Sequence, residues 1–187
     1  AVNEFVVWGV SAGGGQGDAG VAGSVGINVV KIETEAGAES GSVLKSAGNL
    51  NVDAETDLGL QNLAVGTGFS TGEAAVGAAV AVNVVKGIAE DTPMATTAYI
   101  AGSADAAGAM SITAETDLAP INFSKTLLGY DLSVDLTAVA IAGGATAGEV
   151  GVGAAAVVNL FDVTTLAYIG DGAQINRQIH VEVVGRI

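Results

Sequence analysis

The sequence predicts an all-β protein, a parallel β-solenoid or a closely related stacked-sheet repeat rod. Composition, internal repetition and strand-like periodicity each lead to this class. Gly, Ala and Val make up 88 of the 187 residues, whereas Phe, Trp and Tyr together make up 4%. Because such small side chains fill a thin interior, the composition favours closely stacked sheets over a core of Leu, Ile and Phe.

Three small-residue runs of the chain align with one another, and each ends in Asn. They are residues 21–28 ending at Asn28, 76–83 ending at Asn83 and 152–159 ending at Asn159. A glycine-acid turn precedes each run at the same distance from its Asn, so we interpret the runs as copies of one unit. An Asn that recurs in one register is expected to form a ladder of side-chain amides along the stack.

The alignment divides the chain into three degenerate repeats of one β domain. Their approximate bounds are 5–57, 58–117 and 118–187, and the third carries an insertion near 121–135. Because apolar segments lie near both termini, we expect the chain to be a piece of a longer protein.

Alternation within the second run favours a strand over a helix. Val76, Val80 and Val82 fall on one face at period two, while Ala79 and Ala81 fall on the other. A helix with this much glycine would lose about 1 kcal/mol per Gly relative to Ala and would lack a polar face. We interpret the Val face as filling an interior and the Ala/Gly face as a flat sheet surface that another sheet can approach closely, so we expect the strand to be buried on both sides.

The charge balance and the residue types exclude several classes of function. Six basic residues against 20 acidic ones give a net charge of −14, which cannot supply the basic face that nucleic acid requires. Without Cys there is no disulfide and no thiolate ligand. The stretches between charges are too short for a membrane-spanning helix, as between Glu73 and Lys86.

Two segments carry a resemblance to known repeat proteins. Residues 77–85 (GAAVAVNVV) and 166–175 (LAYIGDGAQI) resemble the repeat regions of large bacterial exoproteins, namely filamentous haemagglutinin-type adhesins and large leukotoxin-like proteins. The resemblance covers most of the chain from about residue 10. It implies a secreted, right-handed β-solenoid (a β-helix) on a Gram-negative cell surface, with no enzymatic activity.

Calcium is the one cofactor that the sequence leaves open. Three acidic residues recur at one corner of the repeats, and carboxylate oxygens are ligands for calcium. These candidate metal ligands are Asp18, Glu73 and Glu149. The alternative is a solvated acidic rim that keeps the rod soluble, because the nonapeptide calcium repeat is absent.

Other motifs are better explained by structure than by chemistry. Residues 15–20 (GQGDAG) match a dinucleotide pattern, but a strand and not a helix follows them. Acidic pairs on two aligned strands raise the alternative of glycoside cleavage, which the scarcity of aromatic and basic residues disfavours. These pairs are Glu55 with Asp57 and Glu115 with Asp117.

The single histidine and two tyrosines are also explained by structure. His180 aligns with Ser111 and is interpreted as a surface residue. Tyr99 and Tyr168 are expected to stack in one column.

Two functions from different classes follow. The first is a structural module of a secreted or cell-surface fibre, which joins identical subunits or adjacent repeats through strand ends and flat Ala/Gly faces. The alternative is an adhesin stalk whose inserted loops, 87–93 and 121–135, bind a surface glycan or protein. Ordered loops with exposed Phe123, Leu127, Leu128 and Tyr130 would favour the alternative.

Overall fold

The computed structural model describes residues 1–118, 122–127, 130–135, 138–148, 150–175 and 181–186, with the backbone alone described at 122–127 and 130–135 and at Phe5, Val7, Trp8, Val10, Ser11, Val181 and Glu182. Regular structure in these ranges is β-strand throughout, so the all-β prediction is confirmed. The strands in chain order are β1 Val2–Lys31, β2 Glu33–Ala38, β3 Val43–Ser46, β4 Leu50–Lys86, β5 Met94–Ile100, β6 Ser103–Ala106, β7 Met110–Asp117, β8 Asn122–Leu127, β9 Tyr130–Asp135, β10 Ala138–Thr146, β11 Val150–Phe161, β12 Val163–Ile169, β13 Gln174–Ile175 and β14 Val181–Arg186.

Parallel pairing between equivalent segments organises the described sheets. The largest sheet has the order β1-β4-β7-β14, with β10 and β11 also paired to β4. Two smaller sheets have the orders β12-β5-β2 and β13-β6-β3. In all three, a segment of the second repeat lies between its counterparts from the first and third repeats. The pairing places Asn28 beside Asn83 and Asn83 beside Asn159, which is the register that the sequence alignment predicts.

One part of each repeat, which we call the stem, consists of two strand segments that face each other and meet at the glycine-acid corner. The stem segments are 9–17 and 19–28, then 62–70 and 74–83, then 138–146 and 150–159. A Cβ atom placed on Gly66 would overlap the carbonyl oxygen of Ala78, and one on Gly13 would overlap that of Gly23. The two walls of the stem therefore touch backbone to backbone, which requires glycine at these positions.

The expectation that the strand is buried on both sides was wrong for the Val face, whereas the close approach of another sheet to the Ala/Gly face is confirmed. Ala79 and Ala81 lie in the stem interior and are buried, whereas Val76 is 39% exposed and Val25 of the first repeat is 60% exposed. In the first two repeats the facing walls leave no space for Val between them, so the small residues point inward and the branched residues point outward. Within the first two repeats the Ala/Gly faces are consequently enclosed between the walls and cannot serve as contact surfaces between subunits.

The remainder of the interior, which we call the body, is wider and holds larger side chains. One apolar cluster contains Leu58, Leu60 and Met94, and a second contains Ile100 and Ile112. These five residues are 2% exposed or less. Conventional packing of large side chains thus supports the body, in contrast to the stem.

The two insertions differ in structure. Within residues 121–135, β8 and β9 form an antiparallel hairpin that pairs with no other described strand. Residues 87–93 form a loop closed by a hydrogen bond from the Gly87 amide to the Thr92 carbonyl, 2.8 Å, and its Ile88 is exposed. The expected exposure of Phe123, Leu127, Leu128 and Tyr130 concerns side chains outside the described part of the chain.

Candidate functional site

Polar side chains cross the interior in two layers, and the first lies where the stem meets the body. The Asn83 amide Nδ2 donates to Asn159 Oδ1 at 3.1 Å, so a side-chain bond joins the second and third repeats. Asn28 Nδ2 instead donates to the Gln61 carbonyl on the opposite wall, at 2.9 Å. The three residues of the expected ladder thus share one register position, but their amides reach both along the stack and across the stem.

Asn62, which the sequence analysis did not single out, strengthens this layer. Its fully buried side chain donates from Nδ2 to the carbonyl of Gly26 and to that of Val82, at 2.9 Å each. One amide therefore holds two neighbouring repeats of the opposite wall. Because buried carbonyls need hydrogen-bond partners, this arrangement fixes the distance between the walls at the point where the interior widens.

A second polar layer lies between the two apolar clusters of the body and consists of threonine hydroxyls. Each hydroxyl donates to the next in one direction at 2.7–2.8 Å, and the chain zigzags between two facing sheets. In donor order the residues are Thr165, Thr116, Thr96, Thr56 and Thr34. A hydroxyl both donates and accepts, so such a chain satisfies its internal members and polarises them cooperatively. We call it the threonine ladder.

The threonine ladder was missed because it depends on two sheets facing each other. Its members on one sheet recur at aligned positions, as Thr56 and Thr116 do, and those on the other recur as Thr96 and Thr165. The recurrence was visible in the sequence. The contact between Thr56 and Thr96 requires knowledge of how the chain folds back.

The tyrosine column is present on the outside of the body. The rings of Tyr99 and Tyr168 stack with centroids 5.4 Å apart and an interplanar angle of 12°, which confirms the expected column. Their partner in the first repeat is Gly37, where a Cβ would overlap the Tyr99 ring. The Tyr99 hydroxyl donates to the Glu39 carboxylate at 2.5 Å, and this bond, followed by one to Glu35, raises the pKa of Tyr99.

The corner acids lie at the tip of the stem. Asp18 falls at an irregularity in the β1–β4 pairing, and its carbonyl oxygen accepts a hydrogen bond from Ser70 Oγ at 2.6 Å. Thr146 Oγ1 makes the corresponding bond, 2.8 Å, to the carbonyl of Gly72, beside Glu73. Hydroxyls of one repeat therefore fix the corner of the preceding repeat.

Calcium binding at the corner stays a prediction. Glu149 lies outside the described residues, as does His180. Among the residues that are described, no group of three or more His, Asp and Glu side chains could hold a metal ion.

The described residues contain no helix that is long and apolar enough to cross a membrane.

The acidic pairs form a small patch on the outer surface. Glu55 lies directly beside Glu115, and Asp57 lies beside Asp117 on adjacent strands. Glu4 continues the second of these rows, next to Asp57. Like charges at paired positions repel, so the patch destabilises the sheet slightly.

Both ends of the stack carry strand edges. Among the described strands, β1 and β2 of the first repeat pair on one side only, and so do β10, β11 and β12 of the third. Unpaired backbone groups along such an edge are a template for another strand.

The chain matches no family model, no curated protein and no solved structure. The strand edges and the two internal polar layers are therefore the features from which a function is to be inferred.

Proposed function

We propose that the chain is a structural, non-catalytic module of a secreted or cell-surface fibre, built as a β-solenoid. Its repeats stack into a rod, and the rod joins identical subunits or adjacent repeats of the same protein through its strand ends. The observation that carries this proposal is the threonine ladder, which runs through all three repeats with bonds of 2.7–2.8 Å.

A ladder of this kind supports a stacking role over a binding role. Its hydroxyls are used by one another inside the body, and Thr56 and Thr96 are fully buried. The hydrogen-bonding groups of these two side chains are used to hold successive repeats at a fixed spacing. The Asn83–Asn159 bond has the same effect in the neighbouring layer.

The secreted, Gram-negative location comes from the resemblance to haemagglutinin-type repeats. The net charge of −14 supports a soluble exterior for such a fibre. Because the Ala/Gly faces of the first two repeats lie inside the stem, the proposal retains only the strand ends as the joining surfaces.

Sedimentation velocity and negative-stain microscopy of the purified chain test the proposal. We expect the sedimentation coefficient to rise with protein concentration and the images to show rods that lengthen. Dispersed particles of constant size across a hundredfold range of concentration would contradict it.

The alternative, an adhesin stalk that binds a glycan or protein, is favoured by one feature of the second repeat. The loop 87–93 borders an open groove of about 260 Å³ whose wall includes Lys86, Leu160, Phe161 and Asp162. Apolar and charged groups that converge beside an exposed loop suit ligand binding. Deleting residues 87–93, so that Met94 directly follows Lys86 as Val163 follows Asp162, should abolish adhesion and leave rod formation intact.

A further inference from the structure

We propose that a second copy of this chain adds end to end, with the first-repeat edge of one copy paired to the third-repeat edge of the other in the register of the internal repeats. The inference rests on the proposed function, because it names which surfaces join. It excludes both a lateral contact through the Val rows and a pairing of two identical ends.

The third-repeat edge is an open end of the apolar interior. Val157 and Phe161 point inward, yet they are 45% and 41% exposed. Their partners one repeat earlier, Ala81 and Val85, are 0% and 1% exposed. A further layer of strand over β11 would give the third repeat the burial that the second already has.

The first-repeat edge has the side chains that fit this opening. The register position of Val157 is occupied by Ala81 in the second repeat and by Gly26 in the first. An added first repeat would thus place Gly26 beside Val157, so that the bulkier side chain meets the smallest residue. The same addition places Val30 of the second copy beside Phe161.

Charge complementarity also favours this pairing. Within the chain, Lys31 lies beside Lys86, a repulsive contact on the outer surface. Asp162 follows Phe161, the partner of Val85, and therefore stands at the register position of Lys86. A first repeat added to the third would place Lys31 of one copy beside Asp162 of the other, which is attractive.

A charge-swap experiment tests the contact without disturbing the interior. We expect Lys31→Glu and Asp162→Lys each to weaken association of the purified chain about tenfold in sedimentation velocity, since each puts like charges together at the joint. A mixture of the two variants should regain association as rods of alternating copies, because one mixed joint pairs the new carboxylate at position 31 with the new ammonium group at position 162, and the other keeps the wild-type pair of Lys31 and Asp162. The double variant should regain the wild-type association.

Cysteine cross-linking gives a second readout that does not depend on charge. The chain has no Cys, so a mixture of Lys31→Cys and Asp162→Cys proteins can form disulfides only between copies. We expect the mixed dimer to form, and we expect none when Val150→Cys, at the far end of β11, replaces Asp162→Cys.

The outcomes separate the two proposals. If wild-type protein associates but the charge swaps have no effect and the 31–162 cross-link is absent, the end-to-end register is wrong while the fibre module stands. If wild-type protein stays monomeric under all conditions, the fibre module itself is wrong.

Discussion

The stem and the body are two parts of the same stack of repeats, and their interiors are packed in opposite ways. In the stem, Gly66 and Ala78 bring two backbones into contact, and almost no side-chain volume lies between the walls. In the body, residues such as Met94 and Ile112 fill a wider space, which the threonine ladder divides. The difference indicates that the interior of the stem tolerates no added atom at positions such as Gly66, whereas the body tolerates changes at the cost of cavities.

The largest effect is expected from adding volume to the stem. Gly66→Val places a branched side chain where even a Cβ overlaps the Ala78 carbonyl oxygen, so we expect destabilisation by about 3 kcal/mol or more, or failure to fold. Urea unfolding followed by circular dichroism would measure it. Gly143→Ala is the matched control, because a Cβ there meets nothing within 4 Å. Equal stability of the two variants would refute backbone contact between the walls.

A deletion in the body should have the next largest effect. Ile112 is fully buried, so Ile112→Ala should cost about 2–5 kcal/mol through lost burial and a residual cavity. Ile88→Ala in the exposed loop should change the free energy of unfolding by less than about 0.5 kcal/mol. If both substitutions prove neutral, the body is not packed as described.

The threonine ladder should respond to the loss of one hydroxyl. Thr96 donates to Thr56 and accepts from Thr116, so Thr96→Val leaves a buried donor without its acceptor and should cost about 1–3 kcal/mol. Thr96→Ser keeps the hydroxyl and should retain most of that stability. Thr97→Val, at the next position on the outer face, is the control for strand propensity. A Thr96→Val protein as stable as its Thr97→Val counterpart would show that the ladder contributes nothing.

Tyr99 gives the body a dependence on alkaline pH. Its folded-state pKa is raised above the usual value of about 10, so the stabilisation is complete below that pH and is lost as the pH rises through the folded pKa. We expect the difference in melting temperature between wild type and Tyr99→Phe to shrink as the pH rises from about 10 towards the folded-state pKa of Tyr99. A difference that is constant or grows with pH would contradict the bond to Glu39.

The smallest effect is expected on the acidic patch outside the body. Asp57 lies between Glu4 and Asp117, so Asp57→Asn should stabilise the protein by about 0.5 kcal/mol at low salt, and by less in 1 M salt, where the Debye length is about 3 Å. Asp105→Asn is the opposite control, because Asp105 lies beside Lys45. The two substitutions should change stability in opposite directions.

The sequence was sufficient for the β class and for the repeat register, because period-two alternation and the aligned Asn28, Asn83 and Asn159 are local signals. It misled on the direction of the faces. Large apolar side chains usually point to the interior, but in the first two repeats the distance between the stem walls admits mainly Gly, Ala and Ser, and Val points outward. That distance is a tertiary quantity, so one strand's alternation cannot reveal which face is inside.

The polar layers show the same limit. Thr recurs at aligned positions of the sequence, but the threonine ladder was missed because it also requires Thr56 to lie opposite Thr96, which depends on the fold. Asn62 had no aligned partner to mark it, because its register partners are Gly9 and Ala138. A lone buried amide that bridges two carbonyls can be found only from the structure.

The central claim, that the repeats stack in parallel with small residues inside, is tested most directly by spin labels on the outer face. Ile27 and Val158 each occupy the register position of Val82, so they are two strand steps apart, about 10 Å. We expect strong dipolar broadening between labels at these positions in protein diluted with unlabelled chain. Moving the first label from Ile27 to Val21, six residues along the strand, should remove most of it. An Ile27–Val158 distance of more than about 20 Å would contradict the in-register stack.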